Sequence, residues 1–238
     1  MKIALLGYGR MGKAIASIAK KRGHDLVAII DPNSSEGNLE EAEVAINFSI
    51  PDAAVSNIKS AMALSIPVVS GTTGWLEHKD SVDTFCLEKN TAFLYTSNFS
   101  VGVNLFFALN SKLAQLMGSH SDYKVKMEEI HHIHKLDAPS GTAISLAEDI
   151  IPQTRYENWS LDNKSETENT ISIKSIREGE IPGTHSVIYQ NNIDSLSIRH
   201  EAFTREGFAL GAVIASEWIL DKKGIFDMKD VLNLSRFH

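Results

Sequence analysis

Residues 128–143 concentrate titratable side chains: Glu128, Glu129, His131, His132, His134, Lys135 and Asp137, followed by the turn-forming Pro139-Ser140-Gly141-Thr142. Three of the nine histidines fall within four residues. Upstream, Tyr123, Val125 and Met127 alternate with Lys124, Lys126 and Glu128, the pattern of a half-buried strand. Along such a strand His131 and His132 point to opposite sides. Pro139 suits a turn, and Ser140 suits the N-cap of a helix carrying Ala143, Leu146 and Ala147. The first N–H groups of that helix, near Gly141 and Thr142, would face outward as an anion site. Titratable groups beside an anion cradle suggest proton transfer on an acidic small molecule. A His-His-x-His zinc cluster is the weaker reading, because neighbouring imidazoles alternate in direction and the single cysteine, Cys86, is far away in sequence. The plainer alternative is strand-end histidines and a solvated Lys135. It holds better for any one of these residues than for the whole run.

A second constellation opens the chain. Residues 2–6 read as a buried strand, and Gly7-Tyr8-Gly9-Arg10-Met11-Gly12 follows at once. Ala14, Ile15, Ile18 and Ala19 then keep helical spacing, and a second apolar strand, 25–30, ends on Asp31. This is a dinucleotide-binding fingerprint in its full context. Gly7 permits the tight turn, Gly9 lets a pyrophosphate approach the backbone, and Gly12 lets helix and strand pack closely. Asp31 could accept hydrogen bonds from a ribose diol; a simple strand-end turn residue is its plainer alternative. Gly71-Thr72-Thr73-Gly74 follows a short strand, 67–70, where open parallel sheets bind ligands, and its small residues leave room for a flat ring. Phe99, in Asn98-Phe99-Ser100, could pack on a nicotinamide face or serve as plain core.

These residues must be positioned by alternating elements. Strands at 43–48 and 92–96 and helices beginning at Pro51 and running 75–90 complete a βα pattern. After the histidine run the pattern changes to strands at 170–176, 184–189 and 195–200, with a turn at 177–185, which suits an antiparallel or mixed sheet. The polar run 162–170 reads as a surface loop. Phe208, Gly211, Ala212, Ala215, Trp218 and Ile219 form the apolar stripe of a last helix, with Trp218 as core. The expected fold class is α/β. A Rossmann-type dinucleotide-binding domain at 1–98, completed by 207–238, is joined to an α+β domain on a mixed sheet at 99–206.

Bulk properties narrow the function. With 43% apolar and 22% charged residues, the 238-residue chain has an ordinary globular composition. A formal charge of −7 with no basic stripe argues against a nucleic-acid partner. No apolar stretch is long enough for a bilayer, and the N-terminal apolar run is too short for a signal peptide. One cysteine excludes an internal disulfide and fits a cytoplasmic location.

The motifs resemble those of the 4-hydroxy-tetrahydrodipicolinate (dihydrodipicolinate) reductases of lysine and diaminopimelate biosynthesis. The matching runs are Gly9-Arg10-Met11-Gly12, residues 71–74, Asn98-Phe99-Ser100-Val101-Gly102-Val103-Asn104, and His131-His132-x-x-Lys135-x-Asp137-Ala138-Pro139-Ser140-Gly141-Thr142-Ala143. The resemblance implies His131 and Lys135 as catalytic proton-transfer residues, and His132, Gly141 and Thr142 as contacts to a cyclic dicarboxylate substrate. Together with the glycine fingerprint it implies a cofactor site made by Gly7, Tyr8, Gly9, Arg10, Met11, Gly12, Asp31, Gly71, Thr72, Thr73, Thr96, Ser97, Asn98 and Phe99, with no metal; the family's first loop often carries one more residue before Gly-Arg-Met-Gly, so Tyr8 comes from the fingerprint and not from the family pattern. It also implies a homotetramer built through the mixed sheet. The chain departs from the family at Asn47-Phe48-Ser49, where Asp-Phe-Thr is usual, and at Pro32, where many members carry a base beside the ribose acid. With Asp31 and no Lys or Arg from 31 to 58, the expectation is NADH preferred over NADPH, with Arg10 and Lys13 the residues that could hold a 2′-phosphate. Two rivals stand beside this reading: another two-domain amino-acid-pathway dehydrogenase, and a non-catalytic NAD(H)-sensing protein.

Overall fold

A computed structural model describes residues 1–162, 168–204 and 206–234. The elements run β1 (Lys2–Leu6), α1 (Arg10–Lys21), β2 (Asp25–Ile30), β3 (Glu36–Gly37), β4 (Val44–Asn47), α2 (Pro51–Ala63), β5 (Val68–Ser70), α3 (Lys79–Glu88), β6 (Ala92–Tyr95) and α4 (Val101–Met117). They continue β7 (Lys124–His131), α5 (Gly141–Ile150), β8 (Asn158–Leu161), β9 (Thr170–Arg177), β10 (Gly183–Gln190), β11 (Ser195–Ala202), α6 (Glu206–Ile219), β12 (Gly224–Phe226) and α7 (Met228–Val231). The chain divides into two compact units, one of residues 1–101 and 206–234, the other of residues 102–204.

The first unit is a sheet in the order β12-β6-β5-β4-β1-β2-β3, parallel except for the short β3. Because β1 lies between β2 and β4, the loops after β1 and β4 flank the switch point where such sheets take ligands. Both faces are covered, which is why the strands are nearly continuous apolar runs. Ile3 and Leu5 pack under Ile15, Ile18 and Ala19 of α1 and Ala212, Ala215 and Ile219 of α6. Ala4 and Leu6 pack under Ile58 and Met62 of α2 and Val82 and Cys86 of α3. Trp218 is half-buried, edge-on to Phe226. The helix expected over 75–90 is broken. Trp75 is buried with its indole N–H on the Thr72 carbonyl at 2.7 Å, a 3₁₀ turn spans Leu76–His78, and α3 starts only at Lys79.

The second unit is a mixed sheet in the order β11-β10-β7-β9-β8. β10 is antiparallel to β7 and β11, while β9 is parallel to β7 and β8. One face carries Val125, Met127, Ile171, Ile173, Val187 and Tyr189, covered by Phe106 and Leu113 of α4 and Leu146 and Ile150 of α5. The inner face of β7 does not stop at Met127. Its period of two continues through Glu129 and His131, both buried. Register places Glu129 beside His185 on β10 and Ser175 on β9, and His131 beside Arg177. The inner face therefore turns from apolar to ionisable at one end. Of the polar run expected as a surface loop, residues 163–167 lie outside the described residues. Among its described members, Asp162 accepts the Ser175 N–H at 3.2 Å.

Candidate active site

The polar end of the second sheet is organised on Glu129, which is 0% exposed. Its carboxylate accepts the Ser140 N–H at 3.1 and 3.0 Å, the Ser175 hydroxyl at 2.8 Å and the Arg177 guanidinium at 3.1 Å. Burial alone would raise its pKa. The bonds from Ser140, Ser175 and Arg177 outweigh that and hold it below the usual carboxylate range. Arg177 also donates to the carbonyls of Lys135 (3.4 Å) and Asp137 (2.6 Å), fastening the loop after β7 to the sheet. On that loop Lys135 Nζ lies 2.6 Å from Asp137 Oδ2, and this bond is the main reason the Asp137 carboxyl titrates lower than usual. The lysine is half-buried, its ammonium held against that carboxylate by a charge-assisted hydrogen bond.

Ser140 caps α5 as expected, its hydroxyl accepting the Ala143 N–H at 3.2 Å. Gly141 opens onto free space: a Cβ there would meet nothing within 4 Å. The N–H groups of the first turn thus face an open approach, the geometry an anion needs. Thr142 is half-buried in the same turn.

The histidines separate. His131 is buried, with Nδ1 on the Pro182 carbonyl at 3.2 Å and Nε2 3.3 Å from His185 Nε2. Burial is the main reason it is harder to protonate than a free imidazole; Glu129 opposes the shift, and Lys135 and Arg177 reinforce it. Gly183 makes room for the ring, since a Cβ there would stand 2.9 Å from His131 Cε1. His132 follows the end of β7, half-buried, with Nδ1 shielded from solvent and without a hydrogen-bond partner. His134 lies exposed beside Glu180. The run therefore does not form a zinc cluster of its own. Among the described residues, the carboxylate and imidazole atoms that do converge belong to Glu129, His131 and His185.

In the first unit, the glycine loop fits a dinucleotide. Gly7 has φ +100°, and a Cβ there would stand 2.5 Å from the Phe48 carbonyl oxygen. A Cβ on Gly12 would stand 2.3 Å from the Gly7 oxygen, whereas Gly9 has open space. Gly9 is the N-cap of α1 and supplies no capping side chain, so the helix N–H groups are left for a phosphate. Arg10 is exposed and Met11 half-buried at the start of that helix. Asp31 accepts the Tyr8 N–H at 2.8 Å and the Asn33 N–H at 3.0 Å, and these bonds hold its pKa down. The acid thus braces the glycine loop from the end of β2.

The Gly71–Gly74 turn hangs on buried Asn47, whose amide donates to Ser70 Oγ (2.9 Å) and Thr72 Oγ1 (3.2 Å). Thr73 and Ser97 are exposed; Thr96 is half-buried and bonds through its hydroxyl to Asn98. Phe99 is 2% exposed, tilted against Phe48 at 5.6 Å between ring centroids. Its ring belongs to the core, and a Cβ on Gly211 would stand 1.7 Å from the Phe99 carbonyl oxygen. What Phe99 can offer a ligand is backbone.

Sequence reasoning gave no role to Glu129, Ser175, Arg177 or His185. Their signal was parity. Glu129 and His131 share the parity of Val125 and Met127, which makes Glu129 a buried charge in search of a cation and donors.

Comparison with known proteins gives the family. Residues 1–99 match the family described as "Dihydrodipicolinate reductase, N-terminus", and residues 102–232 match "Dihydrodipicolinate reductase, C-terminus". The chain is 51% identical over 236 residues to a 4-hydroxy-tetrahydrodipicolinate reductase of Christiangramia forsetii, covering 98% of each. It is 32% identical to the enzyme of that name from Methanoregula boonei, covering 99% of each. Among solved structures it resembles in fold a dipicolinate-bound dihydrodipicolinate reductase from Paenisporosarcina sp. TG-14, with TM-score 0.76, 21% identity, and 97% and 98% of the two chains covered.

Proposed function

The chain belongs to the dihydrodipicolinate reductase family, and from that premise we propose how its residues divide the work of the reaction. Its activity is the NAD(P)H-dependent reduction of 4-hydroxy-tetrahydrodipicolinate, a step of lysine and diaminopimelate biosynthesis. The bound nicotinamide supplies the hydride.

One carboxylate of the substrate sits on the first turn of α5, taken by the N–H groups of Gly141 and Thr142 and by the Thr142 hydroxyl. His132, at the end of β7, contacts the same substrate. Lys135, oriented by Asp137, delivers the proton that completes the reduction, and His131 belongs to the same proton-handling set. One observation carries this reading. Arg177 and Glu129 fasten the Lys135–Asp137 loop and the Ser140 cap to a single buried charge pair, so proton donor and anion cradle are held together. The test follows nicotinamide absorbance with enzymatically generated substrate. Lys135→Ala should lose about 10²–10⁴-fold in turnover with cofactor binding intact. Turnover within a few-fold of the parent removes Lys135 from the mechanism.

Asp31 favours NADH modestly over NADPH. Its carboxylate, at the end of β2, accepts from a ribose hydroxyl and repels a 2′-phosphate, and an exposed Arg10 keeps both cofactors usable. Specificity constants for the two, at fixed low salt, decide it. The enzyme works in the cytoplasm as a homotetramer formed through the mixed sheet. Supporting this, β11 turns exposed side chains outward, and Leu196 on it and Ile193 and Phe203 beside it are exposed apolar groups. Sedimentation at micromolar protein would reveal a monomer if this is wrong. Among the described residues no helix is long and apolar enough to cross a membrane.

A further inference from the structure

Two imidazoles meet through like atoms at the polar end of β7 and β10. His131 Nε2 and His185 Nε2 stand 3.3 Å apart, with the rings crossed at 70°. Two ring nitrogens at that distance cannot both present lone pairs or both present N–H groups. One donates and the other accepts. Their partners decide which, and the proton positions are assigned from those partners. His131 Nδ1 faces a carbonyl, that of Pro182, so it carries hydrogen. A neutral imidazole has one N–H, so His131 Nε2 is a bare acceptor and the shared proton sits on His185 Nε2. The alternative, hydrogen on His185 Nδ1, would bury an N–H without a partner and set two lone pairs against each other. His185 Nε2 is also 3.1 Å from Ser140 Oγ, the cap of α5.

We infer that His185 is a positioning residue for the reduction: its Nε2 proton holds His131 in one tautomer and ties that ring to the cap of the substrate cradle. The inference rests on the reading that His131 belongs to the active site. It has a chemical consequence. A proton added at His131 Nε2 would set two N–H groups head to head, so it must displace the His185 proton to Nδ1. The pair therefore holds one additional proton, not two. Each group facing the pair bears on that proton. Glu129 favours it, with Oε2 3.6 and 3.7 Å from the two Nε2 atoms. Lys135 on the loop and Arg177 on β9 oppose it, and His200, paired with His185 across β10 and β11, opposes it when charged. Burial, which pushes His185 down to about 4, keeps the resting pair neutral.

The test uses His185→Leu, which removes every polar atom, and His185→Gln, which keeps an amide N–H donor but cannot titrate. Turnover, substrate KM, NADH affinity and the ¹⁵N signals of the His131 ring are measured in each. His185→Leu should lose about 10- to 10²-fold in kcat, with substrate KM and NADH affinity within about two-fold, and its His131 signals should report mixed tautomers. His185→Gln should recover most of kcat and the single parental tautomer. A folded His185→Leu with parental kcat and parental His131 signals overturns the inference. If His185→Leu fails to fold, His185→Gln decides: turnover lost despite its donor overturns it, and turnover kept with the parental tautomer supports it. His131→Ala separates the two levels. If it is impaired while His185→Leu is not, only this inference fails. If it is fully active, the reading of His131 fails as well.

Discussion

At the scale of single residues, the cradle and the ribose acid make separable predictions. Thr142→Val removes a hydroxyl while nearly keeping shape. Substrate binding should weaken by about 1.5–3 kcal/mol, the worth of a hydrogen bond to a charged group, with NADH binding unchanged. Titration calorimetry with a dicarboxylate analogue reads this directly, and an unchanged affinity would move the carboxylate elsewhere. Asp31→Ser removes the repulsion of a 2′-phosphate, so the NADH-to-NADPH ratio of kcat/KM should narrow or invert. The structure adds a second expectation for the same variant. Asp31 also accepts the Tyr8 N–H, so NADH itself should bind less well as the glycine loop loosens. A ratio that does not move would shift discrimination to Arg10 or Lys13. These residues were legible because motif and spacing carry them. Gly7, Gly9 and Gly12 each meet the steric condition assigned to them: a strained φ beside a carbonyl, open space, and close packing.

At the scale of elements, what escaped the sequence reading was pairing across strands. His185 lies 54 residues beyond His131, and only the β7–β10 register brings them together. The same holds for Arg177 and Glu129, joined through β9. α4 escaped for another reason. Val101–Met117 mixes exposed Leu105, Leu109 and Leu116 with buried Phe106 and Leu113, so no single apolar stripe announces it. The Glu129–Arg177 pair also carries a stability prediction. Arg177→Ala leaves a buried carboxylate without its cation, and denaturant unfolding should show a loss of about 3–5 kcal/mol. Replacing both residues with apolar ones of similar volume should recover part of it. An Arg177→Ala loss under about 1 kcal/mol would mean that Ser140 and Ser175 suffice to hold the charge.

At the scale of the whole molecule, the buried imidazoles set how stability responds to acid. His185 titrates at about 4 in the folded chain, against 6.5 for a free side chain. The folded pKa is the lower one, so between those values the unfolded chain binds a proton that the folded chain refuses. The contribution of His185 is therefore fully present well above pH 6.5 and is lost as pH drops toward 4. His185 alone accounts for roughly 3 kcal/mol at about 1.4 kcal/mol per pH unit. His131 and His200 shift in the same direction. Melting temperatures from pH 7.5 to 4.5 should fall, and His185→Gln should fall less steeply over that span; equal slopes would take His185 out of the acid response.

The chain order of the two units has its own consequence, one for biosynthesis of the protein itself. The first unit begins at residue 1 but its core closes only when Ala212, Ala215 and Ile219 of α6 arrive, after all of residues 102–204. A ribosome therefore releases everything the middle of the chain needs before it releases what the beginning needs. For roughly ten seconds of translation, the sheet face of Ile3 and Leu5 has α1 over it but lacks α6, the second of its two covering helices. In that interval the nascent chain exposes apolar surface of the kind holding chaperones take, and a helix synthesised after the whole second unit completes the core of the first.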